Sequence, residues 1–155
     1  MSAPLVRALV VLGALLVLGS VNYSIYAKEQ IKRNGEVMYL DLAPVDPRSL
    51  MQGDYMALRF AVAAEIARQR RQGNTVSLQL DSRRIAHLPE PGSSGSLPVR
   101  YRMRNGQVWL GTNAYFFEEG SALRFAPARY GKFRVDPRSG EAVLVGLCDA
   151  QLKEL

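Results

Sequence analysis

Cysteine and histidine are almost missing from this chain: one of each, Cys148 and His87, in 155 residues. A disulfide framework is therefore excluded within one chain, and so is a Cys/His zinc site built from a single chain. A Ser-His-Asp triad would have to use His87. That residue sits in the apolar-flanked segment RIAHLPE, where a hydrogen-bonded or exposed histidine is the simpler account. Lysine is scarce too. Past residue 33 only Lys132 and Lys153 remain, which leaves a Ser-Lys nucleophile little to work with. What the chain has is a globular composition, 48% hydrophobic and 22% charged, at a length that fits one domain.

Acidic residues are outnumbered, and the formal net charge is +6. Half of the excess lies in residues 1–33, where Arg7, Lys28, Lys32 and Arg33 face Glu29; beyond them 16 Lys+Arg meet 13 Asp+Glu. The basic residues are scattered and no binding motif accompanies them, so nucleic acid is not an expected partner. The cluster Arg68-Gln69-Arg70-Arg71 reads as the solvated end of a helix, where cations complement the dipole.

Charge is absent altogether between Arg7 and Lys28. Ala8 to Gly19 is unbroken apolar sequence, and Ser20 to Ala27 adds only small, aromatic or uncharged residues. As a helix, residues 8–27 span about 30 Å, the hydrocarbon thickness of a bilayer. Tyr23 and Tyr26 fall near one end, where aromatic belts sit. A cleaved signal peptide is the rival reading, but a cut after Ala27 puts Ile25 at −3, a poor fit. The expectation is an uncleaved signal-anchor with residues 8–27 in the lipid bilayer, and residues 28–155 outside the cytoplasm. Free Cys148 in an oxidising compartment is a mild objection, met if the thiol is buried in its apolar strand.

The remainder reads as short strands. Lys28 to Asn34 extends the helix as a stalk, and Asn34-Gly35 stops it in C-cap fashion. Strands are expected over 36–45, 55–62, 75–81, 97–104, 107–111, 114–117, 131–136 and 141–148, with a further one within 82–90. Asn105-Gly106 marks a two-residue hairpin. Residues 61–72 carry helical spacing, with Ala64, Ile66 and Ala67 as a narrow apolar stripe. Met103 is expected on the same inward face as Val99 and Tyr101, opposite Arg100, Arg102 and Arg104. That arginine stripe suits a solvated face, or one turned to anionic headgroups. Trp109, Tyr101, Phe116 and Phe117 read as core. VDPRS occurs at 45–49 and again at 135–139 with unmatched flanks, which is shared turn chemistry and not a repeat. The fold class is α+β: an N-terminal transmembrane helix, then a small β-rich antiparallel domain with one or two short helices, barrel-like closure being one option. The division is an anchor and stalk at 1–33 and a domain at 34–155.

Gly53-Asp54-Tyr55-Met56-Ala57-Leu58-Arg59-Phe60 resembles the signature of the GDYXXLXY family, membrane-anchored bacterial proteins named for this motif, with Phe60 in place of the final Tyr. Pro44-Val45-Asp46-Pro47-Arg48 resembles the family's lead-in. Tyr115-Phe116-Phe117 with Glu119-Gly120, Ala128-Arg129-Tyr130-Gly131, Phe133-Arg134-Val135 and Val145-Gly146-Leu147 resemble its C-terminal half. The resemblance covers residues 5–149. It implies an anchor, this domain and a bacterial source, which together with the signal-anchor orientation gives the expectation of an inner-membrane protein with a periplasmic module; it carries no activity, cofactor or catalytic residue.

Taken on their own chemistry, Gly53 suits a positive φ and Asp54 a turn cap. The plain account of the motif is a turn followed by a strand. The sharper one is a partner or ligand surface near the membrane-proximal end, made of Asp46, Arg48, Gly53, Asp54, Tyr55 and Arg59, with Glu119, Arg129 and Tyr130 from the C-terminal half. The leading functional expectation is a non-catalytic partner-binding or assembly subunit docked on an integral membrane protein. The alternative is a hydrolase, or a ligand- or metal-binding protein, using Asp, Tyr and Arg around the motif. Ser49 before Gly53-Asp54 faintly resembles the Ser-Lys signal peptidases, but the spacing is shorter and their Ser-Met step is absent. Asp46, Asp54 and Glu119 lack a metal-ligand spacing.

Overall fold

The computed structural model describes residues 3–43, 51–52, 55–69 and 73–155. Helix α1 runs from Ala3 to Asn34, about 48 Å at 1.5 Å per residue. Its side chains are exposed from Pro4 through Tyr26, although a window of it has a mean hydropathy of 2.2. In water such a surface would be far too apolar to leave bare. The three polar side chains at its centre turn back on the helix itself. Ser20 Oγ donates to the Val17 carbonyl at 2.8 Å, Asn22 Nδ2 to Leu18 at 2.8 Å and Ser24 Oγ to Ser20 at 2.9 Å. Polar groups satisfied within the helix are what a lipid environment demands. Past Ala27 the helix changes character. Glu29 pairs with Lys32 at 3.5 Å and Arg33 at 3.4 Å, the i,i+3 and i,i+4 spacings that support a helix in water. Ile31 is buried, and Lys28 pairs with Glu141.

Gly35 ends the helix, but not through a left-handed φ. Its N–H donates to the Ile31 carbonyl at 2.8 Å. A Cβ here would meet that oxygen, the Val135 nitrogen at 3.0 Å and Arg134 Cβ at 3.1 Å. Glycine is required because the helix end lies directly against the sheet.

That sheet is antiparallel, with β10 (Tyr130–Val135) between β1 (Glu36–Asp41) and β11 (Ala142–Cys148). Glu36 lies opposite Val135 and Asp41 opposite Tyr130, so β1 leads away from the helix. Met38, Leu40, Phe133, Val135 and Leu147 turn inward. A second sheet orders β2 (Met51–Gln52), β3 (Tyr55–Ala57) and β9 (Ala114–Phe116). A third orders β5 (Ala86–His87), β4 (Thr75–Leu80) and β6 (Leu97–Arg100). The strands β7 (Arg102–Arg104) and β8 (Gln107–Trp109) form a hairpin. Asn105 at φ 49° and Gly106 at φ 74° give it the two left-handed residues its tight turn needs. Two short helices, α2 (Ala61–Arg68) and α3 (Ala122–Phe125), complete the described elements.

The α+β architecture is the one the sequence leads to. Barrel closure is not adopted: the described strands fall into three separate sheets and a hairpin, joined by short bridges such as Leu42 to Phe60 and Tyr39 to Ile85. Three local expectations need correction. Ala64 is exposed, because the buried line of α2 is Val62 and Ile66, one turn apart. Met103 is exposed, because the chain leaves β6 at Tyr101 and all three residues of β7 lie outside the core, while Val108 opposite it stays buried. Between 82 and 90 only Ala86 and His87 pair as strand; the residues before them are held by Asp81, whose Oδ1 accepts from the Arg83 and Ile85 N–H groups, both at 2.8 Å.

Candidate functional site

The motif strand is set by its alternation. Met56, Leu58 and Phe60 are buried, while Arg59 is exposed and Tyr55 and Ala57 are half-buried. Gln52 pairs with Tyr55 across β2 and β3, so only Gly53 and Asp54 connect them. Tyr55 lies beside Phe116 of β9, ring centroids 5.7 Å apart. Phe60 meets Phe133 edge-on at 5.3 Å. A Cβ on Gly131 would stand 2.9 Å from the Phe60 ring, so Gly131 leaves the space that the last motif position fills.

The sequence-selected residues are only partly brought together. Asp46, Arg48, Gly53 and Asp54 lie outside the described residues, as do Ser49 and the first VDPRS turn. Arg59, Arg129 and Tyr130 gather at the far end of β1 through their backbones. Ala43 N–H donates to the Arg59 carbonyl at 2.7 Å, and Leu42 N–H to the Arg129 carbonyl at 2.8 Å; Tyr130 lies opposite Asp41. Glu119 stands apart in the exposed turn after β9, and among the described residues no ion pair joins it to Arg59 or Arg129. This cluster lies at the opposite end of β1 from the helix, about 17 Å along the strand. Among the described residues it is therefore not the part beside the stalk. The turn beside the stalk is the second VDPRS instead: Asp136, Pro137, Arg138 and Ser139 face Ala27, Ile31 and Gly35 across a groove.

A groove of about 590 Å³ opens beside the motif strand. Leu58, Arg59 and Phe60 form one wall, Ala63, Ala64 and Ala67 of α2 a second, and Val108 and Trp109 of β8 the third. Alanines at these positions keep α2 shallow and leave the space open. Asn113 lies at the base. Its carbonyl accepts the Leu58 N–H at 2.7 Å, yet its side-chain Oδ1 is buried with no hydrogen-bond partner. A buried acceptor without a donor is costly, on the order of 1–3 kcal/mol. The groove therefore offers apolar walls and a cationic rim at Arg59.

A family model described as GDYXXLXY protein matches residues 17–147. The chain belongs to the GDYXXLXY family. The match begins inside α1 and ends in β11, so apolar helix and strand-rich region both fall within the GDYXXLXY model. No curated protein and no solved structure gives a match. In this GDYXXLXY chain the three described side chains at defining positions divide by role. Leu58 and Phe60 are core, and Tyr55 packs on the opposite face against Phe116.

Sequence reasoning missed Asn113, which carried no pattern, and it set Phe116 and Trp109 in the core, whereas Phe116 is 74% exposed beside Tyr55. Trp109 is half-buried and lines two grooves. The signal available for the groove was the run of small residues on α2, Ala61 to Ala67, which supply one narrow buried line and little bulk elsewhere. Cys148 is fully buried, and burial pushes its thiol pKa up, which keeps it protonated and inert.

Proposed function

We propose that this chain is a single-pass, extracytoplasmic membrane module, residues 1–33 forming anchor and stalk and residues 34–155 a non-catalytic domain that docks on an integral membrane protein at the periplasmic face of a bacterial inner membrane. The observation that carries the reading is the groove against the family motif, with apolar walls and Arg59 at its rim. An extended or helical segment of the partner would lay apolar side chains against Ala63 and Ala67. Arg59 would meet an acidic group at the rim. Asp46, Arg48, Gly53, Asp54, Tyr55, Glu119, Arg129 and Tyr130 stay partner-surface candidates on sequence grounds in the same reading, the first four lying outside the described residues.

A photo-crosslinking residue at exposed position 64 tests it in native membranes. The expected outcome is one dominant adduct with a polytopic membrane protein, weakened by Arg59→Glu and absent from a control crosslinker at Pro91. Equal labelling from both positions, or no adduct from position 64, would contradict the reading.

A further inference from the structure

Arg100, Arg102 and Arg104 converge on a second groove of about 510 Å³, with Trp109 beside them and Lys28 and Glu141 at the stalk. Two backbone features bring them there. Arg100 N–H donates to the Gly140 carbonyl at 2.6 Å, which ties the end of β6 to the turn just before Glu141. Arg102 lies opposite Trp109 in the hairpin, and the Arg104 guanidinium sits 5.4 Å from the centre of the Trp109 ring. Four cations thus line a space with one carboxylate, and that carboxylate is already engaged by Lys28. None of the three arginines makes an ion pair with a described residue. Like charges gathered without a counter-ion are unfavourable unless an anion completes the set. Guanidinium forks match the oxygens of a phosphate.

The groove's place on the molecule names the source of that phosphate. Lys28 is the first charged residue after the apolar run, so it marks where hydrocarbon gives way to headgroups. Lys28 lines the groove together with Glu141 and Ala142 at the start of β11. Trp109 at its wall is a side chain suited to that interface. We propose that the Arg100-Arg102-Arg104 groove binds the phosphate of an anionic phospholipid in the bilayer that holds α1, fixing the domain's orientation on the membrane. This rests on the anchored reading above and adds a ligand to it.

Trp109 is the only tryptophan, so the chain's tryptophan fluorescence reports on the side chain that the Arg104 guanidinium overlies. The full chain is reconstituted into nanodiscs of phosphatidylcholine, with or without phosphatidylglycerol, and Trp109 is quenched with acrylamide. The expected result is reduced quenching in anionic discs, reversed by high salt. The phosphatidylglycerol fraction at half-effect rises about fivefold for each arginine changed to glutamine. Arg102→Gln alone is an exposed, fold-neutral change and should show that step; Arg102→Lys should recover part of it. Equal quenching in both compositions overturns the proposal, as does a lipid effect that survives the triple substitution. Inorganic phosphate in phosphatidylcholine discs, at matched ionic strength, is the second arm. Protection there shows a soluble phosphate site and overturns the lipid assignment. Failure of the anchor itself would be seen separately, as chain that does not stay with the discs.

Discussion

Gly35→Ala is a small change at the joint between helix and sheet. The added methyl would press on the Ile31 carbonyl, the Val135 nitrogen at 3.0 Å and Arg134 Cβ at 3.1 Å. Two of these three atoms are backbone, so no rotamer change can relieve the crowding. The helix must lose its last hydrogen bond, Gly35 N–H to Ile31 at 2.8 Å, or its end must lift from β10. Overpacking of this kind costs about 1–3 kcal/mol, and the lost hydrogen bond about 1 kcal/mol. Lower entropy of the unfolded chain returns about 0.4–1 kcal/mol. The net loss is about 2 kcal/mol, a fall in Tm of about 4–8 °C for a chain of this size. Thermal unfolding of the full chain in nanodiscs measures it, with limited proteolysis after Lys28 and Lys32 reporting whether the stalk has loosened. Gly146→Ala is the control. That glycine has open space around its Cβ position, so the same substitution should be neutral or slightly stabilising. If Gly35→Ala matches Gly146→Ala in Tm and protease resistance, the stalk does not pack as described.

Two further outcomes follow from the same geometry. Asp136 accepts hydrogen bonds from the Ser139 hydroxyl at 2.7 Å and the Arg138 N–H at 3.0 Å, which hold its carboxyl below the usual range. A depressed folded pKa gives stability that is present above the unfolded value, near 4, and lost as pH falls through the lower folded value; a pH series of Tm should therefore converge for wild type and Asp136→Asn in that acid window, the two differing by under about 1 kcal/mol at neutral pH. Cys148 should resist maleimide in the folded protein and react fully in denaturant, and Cys148→Ser should cost about 1–3 kcal/mol because it buries an unpaired hydroxyl.

The sequence carried the backbone plan wherever local chemistry decides. The charge-free run from Ala8 to Ala27 becomes an exposed apolar helix, Asn105-Gly106 a tight hairpin, and Val76 with Leu78 the inward face of β4. It failed where tertiary packing overrides the pattern. Met103 sits in register with Val99 and Tyr101, yet the chain's departure at Tyr101 sends it outward. Ala64 loses its inward place to Val62, whose larger side chain buries more apolar area. The motif was legible as a strand, but the groove beside it was not. That space depends on α2 lying opposite β8, and no periodicity encodes the pairing of two elements about 40 residues apart in sequence. The arginine stripe was legible as an alternation. Its convergence on Lys28 was not, because it depends on the long-range bond from Arg100 to Gly140.

Lipid around residues 8–27 is the claim on which the rest depends, and single-cysteine accessibility tests it most directly. In a Cys148→Ala background, cysteines are placed one at a time from Leu5 to Arg33 in proteoliposomes and exposed to a membrane-impermeant maleimide. The protein itself buries none of the apolar window of this helix, so any protection there has to come from the bilayer. The account predicts no labelling from 8 to 27 and prompt labelling from Lys32 onward. Labelling throughout 8–27, or a mature chain from native membranes that starts after Ala27, would contradict it.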